Sequence, residues 1–238
     1  LSKALRNHQF GLFDHAIISY RQILDLMPSY ADANHLLGVA LHQNGELEES
    51  ASQIRKAIKY DSRKPTFHIN LGNVLKDMEC FNEAIDCFRE ALMLDPQNLN
   101  AHINIGNAFN LMGLYDEARE HLIKSLKLDP NSPQAHNNLG LMYHEGKNLL
   151  DEAIHSFRKA LSLSPNFPEA HYNLGNTYSA KGCLDEALGC YSEALRINPN
   201  YVKAHCNLGN IYKKQNQNQG AQESFRAAKE SVCERPRL

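Results

Sequence analysis

The sequence has no tryptophan, and no apolar run approaches the roughly 18 residues of a membrane-spanning helix. A secretory signal pattern and N-x-S/T sequons are also missing. Neither charge is in surplus: 25 Lys and Arg stand against 27 Asp and Glu, for a formal net charge of −2. That balance leaves no electrostatic footprint for nucleic acid or for an anionic membrane surface. The six cysteines, at 80, 87, 183, 190, 206 and 233, form no C-x-x-C pair, which excludes a zinc knuckle and a dithiol redox motif. Seven-residue gaps place Cys80 with Cys87 and Cys183 with Cys190 on common helical faces, as small apolar fillers of a reducing compartment. The expected location is cytoplasmic or nuclear.

Catalytic signatures are equally scarce. There is no phosphate loop, G-x-S-x-G, H-E-x-x-H or EF-hand pattern. Acidic pairs recur (Asp116-Glu117, Asp151-Glu152, Asp185-Glu186), but at helix starts, where they complement the helix dipole. No enzymatic activity, cofactor or metal is therefore expected. The twelve histidines do not alter that. Those that recur do so once per repeat, on the order of 10 Å apart, whereas zinc ligands must converge to within about 2.1 Å. Packing between helices is the role expected of them.

What is present is a period. HLLG ends at Gly38, HINLG at Gly72, HINIG at Gly106, HNNLG at Gly140, HYNLG at Gly175 and HCNLG at Gly209. The spacing is 34 residues, with one extra residue in "HEGKNLL", 144–150. In the same register come Ala84, Ala118, Ala153, Ala187 and Ala221, with Ser50 the exception. Ile54, Phe88, Leu122, Phe157, Tyr191 and Phe225 follow, then Ala57, Ala91, Ser125, Ala160, Ala194 and Ala228. Pro96, Pro130, Pro165 and Pro199 close units. Small residues let two helices approach, large ones at helical spacing fill the seam, and proline ends the second helix. Each unit is a helical hairpin that cannot bury its face alone and must stack on neighbours.

This small–large–small–Pro pattern resembles the tetratricopeptide repeat over essentially the whole chain. One departure is histidine (His68, His102, His136, His171, His205) where that family carries a large aromatic, four residues before the glycine. The resemblance implies an all-α fold, a right-handed α-α superhelix of about seven hairpins forming one solenoid over 1–238. The expected units are a partial 1–30, then 31–64, 65–98, 99–132, 133–167, 168–201 and 202–235. The first lacks the start of its first helix, and "KESVCERPRL" offers no polar capping helix. A portion of a longer protein is expected.

One face of the first helices is unusual. Two before the glycine stand Leu36, Asn70, Asn104, Asn138, Asn173 and Asn207; directly after it stand Val39, Asn73, Asn107, Leu141, Asn176 and Asn210. At about 100° per residue these positions share a face, distinct from the seam. Asparagine is a mediocre helix former, and a merely solvated face would mix in Lys, Glu and Gln. Its amide can satisfy a C=O and an N–H of an extended backbone together. Asn70, Asn73, Asn104, Asn107, Asn138, Asn173, Asn176, Asn207 and Asn210 are thus candidate peptide-binding residues. In tetratricopeptide arrays these positions line the concave surface. Five stacked repeats would span about 40 Å, room for roughly a dozen extended residues. The alternative is that asparagine is simply what the ancestor of the repeat carried, or that it joins adjacent repeats.

The ladder together with "LGN.Y…G..DEAL..Y..AL.I.P" resembles the superhelical repeats of O-linked N-acetylglucosamine transferases. There, asparagines at the positions of Asn70, Asn104, Asn138, Asn173 and Asn207 hold the protein substrate for a following glycosyltransferase domain. The expected function is a scaffold binding extended or disordered segments of partner proteins, with self-association as a further mode. Presenting substrate to a transferase domain outside this chain is the alternative. A chaperone adaptor gripping a terminal carboxylate ranks third. The position before the ladder, where that clamp needs a cation, reads His35, Ile69, Ile103, Asn137, Tyr172 and Cys206, although Lys76, Lys203 and Lys213 lie on the inner side.

Overall fold

The computed structural model describes residues 1–146 and 149–233, with side chains as far as Ser231. The middle of the "HEGKNLL" turn and the last five residues of "KESVCERPRL" lie outside the described residues. Fourteen helices are described, and they fall into two compact units, Leu1–Leu114 and Tyr115–Leu238. The first holds α1 (Ser2–Gln9), α2 (Phe13–Leu26), α3 (Ala31–Gln43), α4 (Leu47–Tyr60), α5 (Pro65–Asp77), α6 (Phe81–Leu94) and α7 (Leu99–Leu111). The second holds α8 (Tyr115–Leu128), α9 (Pro133–Gly146), α10 (Leu150–Leu163), α11 (Pro168–Lys181), α12 (Leu184–Ile197), α13 (Val202–Lys214) and α14 (Asn218–Cys233). The division falls inside the repeat expected at 99–132. Within each unit every helix packs on the next, and α3 also touches α5, α5 touches α7 and α9 touches α11. Among the described residues no helix is long and apolar enough to cross a membrane.

The seam of each hairpin follows from the repeated glycine. A Cβ on Gly72 would lie 2.5 Å from the Phe88 ring, and one on Gly175 would lie 2.7 Å from Tyr191. Gly140 faces Phe157, Gly209 faces Phe225 and Gly38 faces Ile54 in the same way. The alanine positions beside them, Ala84, Ala153 and Ala187, are fully buried. Where serine replaces that alanine, the Ser50 hydroxyl donates to the Gly38 carbonyl at 2.7 Å, which satisfies the buried polar group.

Hairpin turns require a left-handed residue at one place, supplied by Gly11, Gly45 and Gly182 at φ 71°, 87° and 83°. The same place is filled by Glu79 at φ 61° and Asn216 at φ 59°, where a side chain adopts a strained backbone.

The histidines have a more specific role than general packing. His68 bonds the Ser62 carbonyl at 3.0 Å, His136 that of Pro130 at 3.0 Å, His171 that of Pro165 at 2.9 Å, and His205 that of Pro199 at 2.8 Å, always through Nε2. Each reaches back six residues to the turn entering its own helix. In α3 the equivalent residue is Asn34, whose amide donates to the Pro28 carbonyl at 3.1 Å. The closing prolines sit in these turns just past the second helices. The proline that begins a helix is a separate residue, Pro65 in α5 or Pro168 in α11.

Candidate functional site

The ladder residues lie in first helices: Asn70 and Asn73 in α5, Asn104 and Asn107 in α7, Asn138 in α9, Asn173 and Asn176 in α11, Asn207 and Asn210 in α13. All are half-buried except Asn210, which is exposed. Their amides are not equivalent.

In the first unit, Asn70 Nδ2 donates to His35 Nε2 at 2.8 Å, linking α5 to α3. The His35 ring stacks on Phe67 at 4.3 Å between centroids. Burial, reinforced by the Lys64 charge and opposed by Asp32, holds His35 down at about pKa 4, so it stays a neutral acceptor at pH 7. The Asn73 carbonyl oxygen is buried without a partner among the described residues. Asn104 and Asn107 make no side-chain hydrogen bond among the described residues, which leaves both amides available. Leu36 instead packs into the apolar cluster around Leu37 and Tyr20.

The second unit ties its amides together. Asn137 Nδ2 donates to Asn138 Oδ1 at 3.3 Å, and Asn173 Nδ2 donates to Asn137 Oδ1 at 3.1 Å. Asn207 Nδ2 donates to Asn176 Oδ1 at 2.8 Å and approaches Tyr172 Oη at 3.3 Å. Tyr191 Oη donates to the same Asn176 oxygen at 2.8 Å. A cavity of about 590 Å³ opens here, lined by Asn176, Tyr191, Asn207, Asn210, Lys213 and Lys214 among others. Neither lysine has an ion-pair partner among the described residues, and both are exposed.

A rule emerges from three of these contacts. Asn70 with His35, Asn173 with Asn137 and Asn207 with Tyr172 each join a ladder asparagine to the residue just before the ladder position one repeat earlier. Sequence reasoning noted those preceding residues only for their lack of cations. It also passed over Tyr191 as one more large seam residue. The available signal was its hydroxyl, where Ile54, Phe88, Leu122, Phe157 and Phe225 have none.

Reactive chemistry is not favoured by the surroundings. Burial pushes the Cys87 and Cys190 thiols up to about 11, which keeps them protonated and poorly nucleophilic. Among the described residues no three His, Cys, Asp or Glu side chains are grouped as metal ligands would be.

Models of the TPR repeat match residues 106–146, 147–182 and 175–216. Models of the tetratricopeptide repeat match 5–65, 65–98 and 202–231. The chain belongs to the tetratricopeptide repeat family. A comparison of this tetratricopeptide protein with the curated proteins gives no match. Among solved structures it is similar to MamA, at 26% identity and a TM-score of 0.58 over 71% of this chain and 98% of that one. It is also similar to YrrB, described as a TPR protein with an unusual peptide-binding site, at 25% identity and a TM-score of 0.52 over 78% and 95% of the two chains. The APC/C hetero-tetramer Cut9–Hcn1 matches 98% of this chain with a TM-score of 0.82. At 18% identity, with 46% of that chain covered, it shows the fold alone.

Proposed function

We propose that this tetratricopeptide protein is a non-catalytic scaffold that holds extended segments of partner proteins along its asparagine face. The observation that carries the reading is the amide inventory. Asn104, Asn107 and Asn210 have no internal side-chain hydrogen-bond partner among the described residues, and Asn176, Asn207 and Asn210 line a cavity of about 590 Å³. A free amide offers both a donor and an acceptor, which is what an extended backbone needs and what makes recognition tolerant of side-chain sequence. YrrB, similar in fold and sequence, is described as having a peptide-binding site.

The inter-repeat bonds of Asn70, Asn173 and Asn207 support a shared role for those residues, both bracing the stack and lining the face. The carboxylate-clamp reading gains no support, because its cation position holds His35, Asn137 and Tyr172, each committed to the next repeat. In the transferase reading, which rests on the resemblance of the ladder, the same face would present substrate to a domain outside this chain.

The test is a triple variant, Asn104→Ala, Asn107→Ala and Asn210→Ala. None of these side chains makes a hydrogen bond among the described residues, and alanine is the better helix former by about half a kcal/mol per site. Melting should stay level or rise, while capture of a fluorescein-labelled unstructured peptide weakens severalfold. Unchanged capture would remove the ladder as the site.

A further inference from the structure

The cavity between α11 and α13 has a directional polarity that nothing in the repeat pattern requires. Both lone pairs of the Asn176 oxygen are used, one by Tyr191 Oη at 2.8 Å and one by Asn207 Nδ2 at 2.8 Å. Asn176 therefore turns its NH₂ outward as a donor. Asn207 donates its two N–H groups to Asn176 Oδ1 at 2.8 Å and Tyr172 Oη at 3.3 Å, with Tyr191 Oη farther off at 3.5 Å, which leaves its carbonyl oxygen as the available acceptor on a residue that lines the cavity. Burial holds the Tyr191 phenol up at about 12, so the hydroxyl remains protonated and keeps donating. Tyr172 is tilted against Tyr191 with centroids 5.9 Å apart and against Tyr201 at 5.1 Å.

The remaining lining carries charge of one sign. Lys213 and Lys214 line the cavity, and among the described residues no carboxylate does. Two carboxylates of the same unit are engaged elsewhere: Asp151 is paired with Lys181, and Asp185 accepts from Gln215 at 3.2 Å.

From this we infer that the cavity takes one peptide group of an extended segment between Asn176 Nδ2 and Asn207 Oδ1, with an acidic side chain of the same segment on Lys213 and Lys214, and that Tyr191 is the positioning residue that fixes the two amides. The inference rests on the scaffold reading and names the chemistry of its partner, an acidic extended segment. Charge complementarity selects that partner, since a basic or apolar segment would leave both ammonium groups unanswered. Fixing the amides beforehand removes an ordering cost that a free rung would incur on binding.

The probe is a labelled twelve-residue Gly/Ser/Thr peptide with a central Asp-Glu pair, compared with a twin carrying Asn-Gln, by fluorescence anisotropy at low salt. The acidic peptide should bind about tenfold tighter than its twin, as expected for two charge-assisted contacts in a partly open site. Lys213→Gln with Lys214→Gln should abolish that preference and leave the twin's affinity unchanged. Tyr191→Phe keeps the ring, as Phe88 and Phe157 do at the equivalent position, and should weaken both peptides about fivefold with melting little altered. Equal binding of the two peptides would overturn the acidic preference and leave the scaffold reading standing. Binding untouched by Tyr191→Phe would overturn the positioning role. Failure of both peptides to bind would overturn the inference and the scaffold reading together.

Discussion

Asn173 donates to Asn137 across the step between neighbouring hairpins, 3.1 Å apart and 36 residues distant in sequence. A residue chosen from sequence for its outward amide is thus also a brace between repeats. Single changes Asn173→Ala and Asn137→Ala should each lower stability. A double-mutant cycle should return a coupling of about 0.5–1.5 kcal/mol, read from urea denaturation. Additive effects would mean that the contact contributes nothing.

Two glycines should respond in opposite directions to the same substitution. Gly72→Ala drives a methyl to within 2.5 Å of the fully buried Phe88 ring and should cost about 1–3 kcal/mol. Gly189, on the exposed side of α12, has nothing within 4 Å of an added Cβ. Gly189→Ala should therefore gain about 0.5–1 kcal/mol through helix propensity. Thermal melts of the two variants decide both signs.

The turn after α5 stores removable strain. Glu79 occupies the left-handed position that Gly45 and Gly182 fill in other hairpins. Glu79→Gly should stabilise the protein by up to about 1 kcal/mol, less the extra freedom glycine gives the unfolded chain. A lower denaturation midpoint would contradict that account.

Acid should loosen the first unit through His35. Burial is the main reason its pKa is depressed to about 4, and the neutral ring is the form that accepts from Asn70. Folding therefore favours the unprotonated state. This contribution is complete above about pH 6.5 and is lost as pH falls from there towards 4, by about 3 kcal/mol. His35→Gln should flatten the pH dependence of melting over that window, and an unchanged slope would assign it elsewhere.

The loop-closing histidines make a similar claim at neutral pH. His171→Leu keeps bulk but removes the 2.9 Å bond to the Pro165 carbonyl. A loss of about 0.5–1.5 kcal/mol is expected, accompanied by faster amide exchange in the turn before α11.

Read alone, the chain determined its hairpins. A 34-residue recurrence of small and large residues leaves one way to pair helices, because glycine permits contact only where a large ring fills the gap, as Gly72 and Phe88 do. It also determined which face would be polar, since helical geometry places Asn104 and Asn107 together whatever surrounds them. The tertiary structure decided what each polar group does. Hydrogen bonds between residues 35 apart depend on how one repeat sits on the next, and no spacing within a repeat records that. So His35 became the partner of Asn70, the histidines became ties to their own entering turns, and the Tyr191 hydroxyl was brought onto Asn176. An amide is symmetric in sequence and directional in space, so only its neighbours could settle which end faces outward.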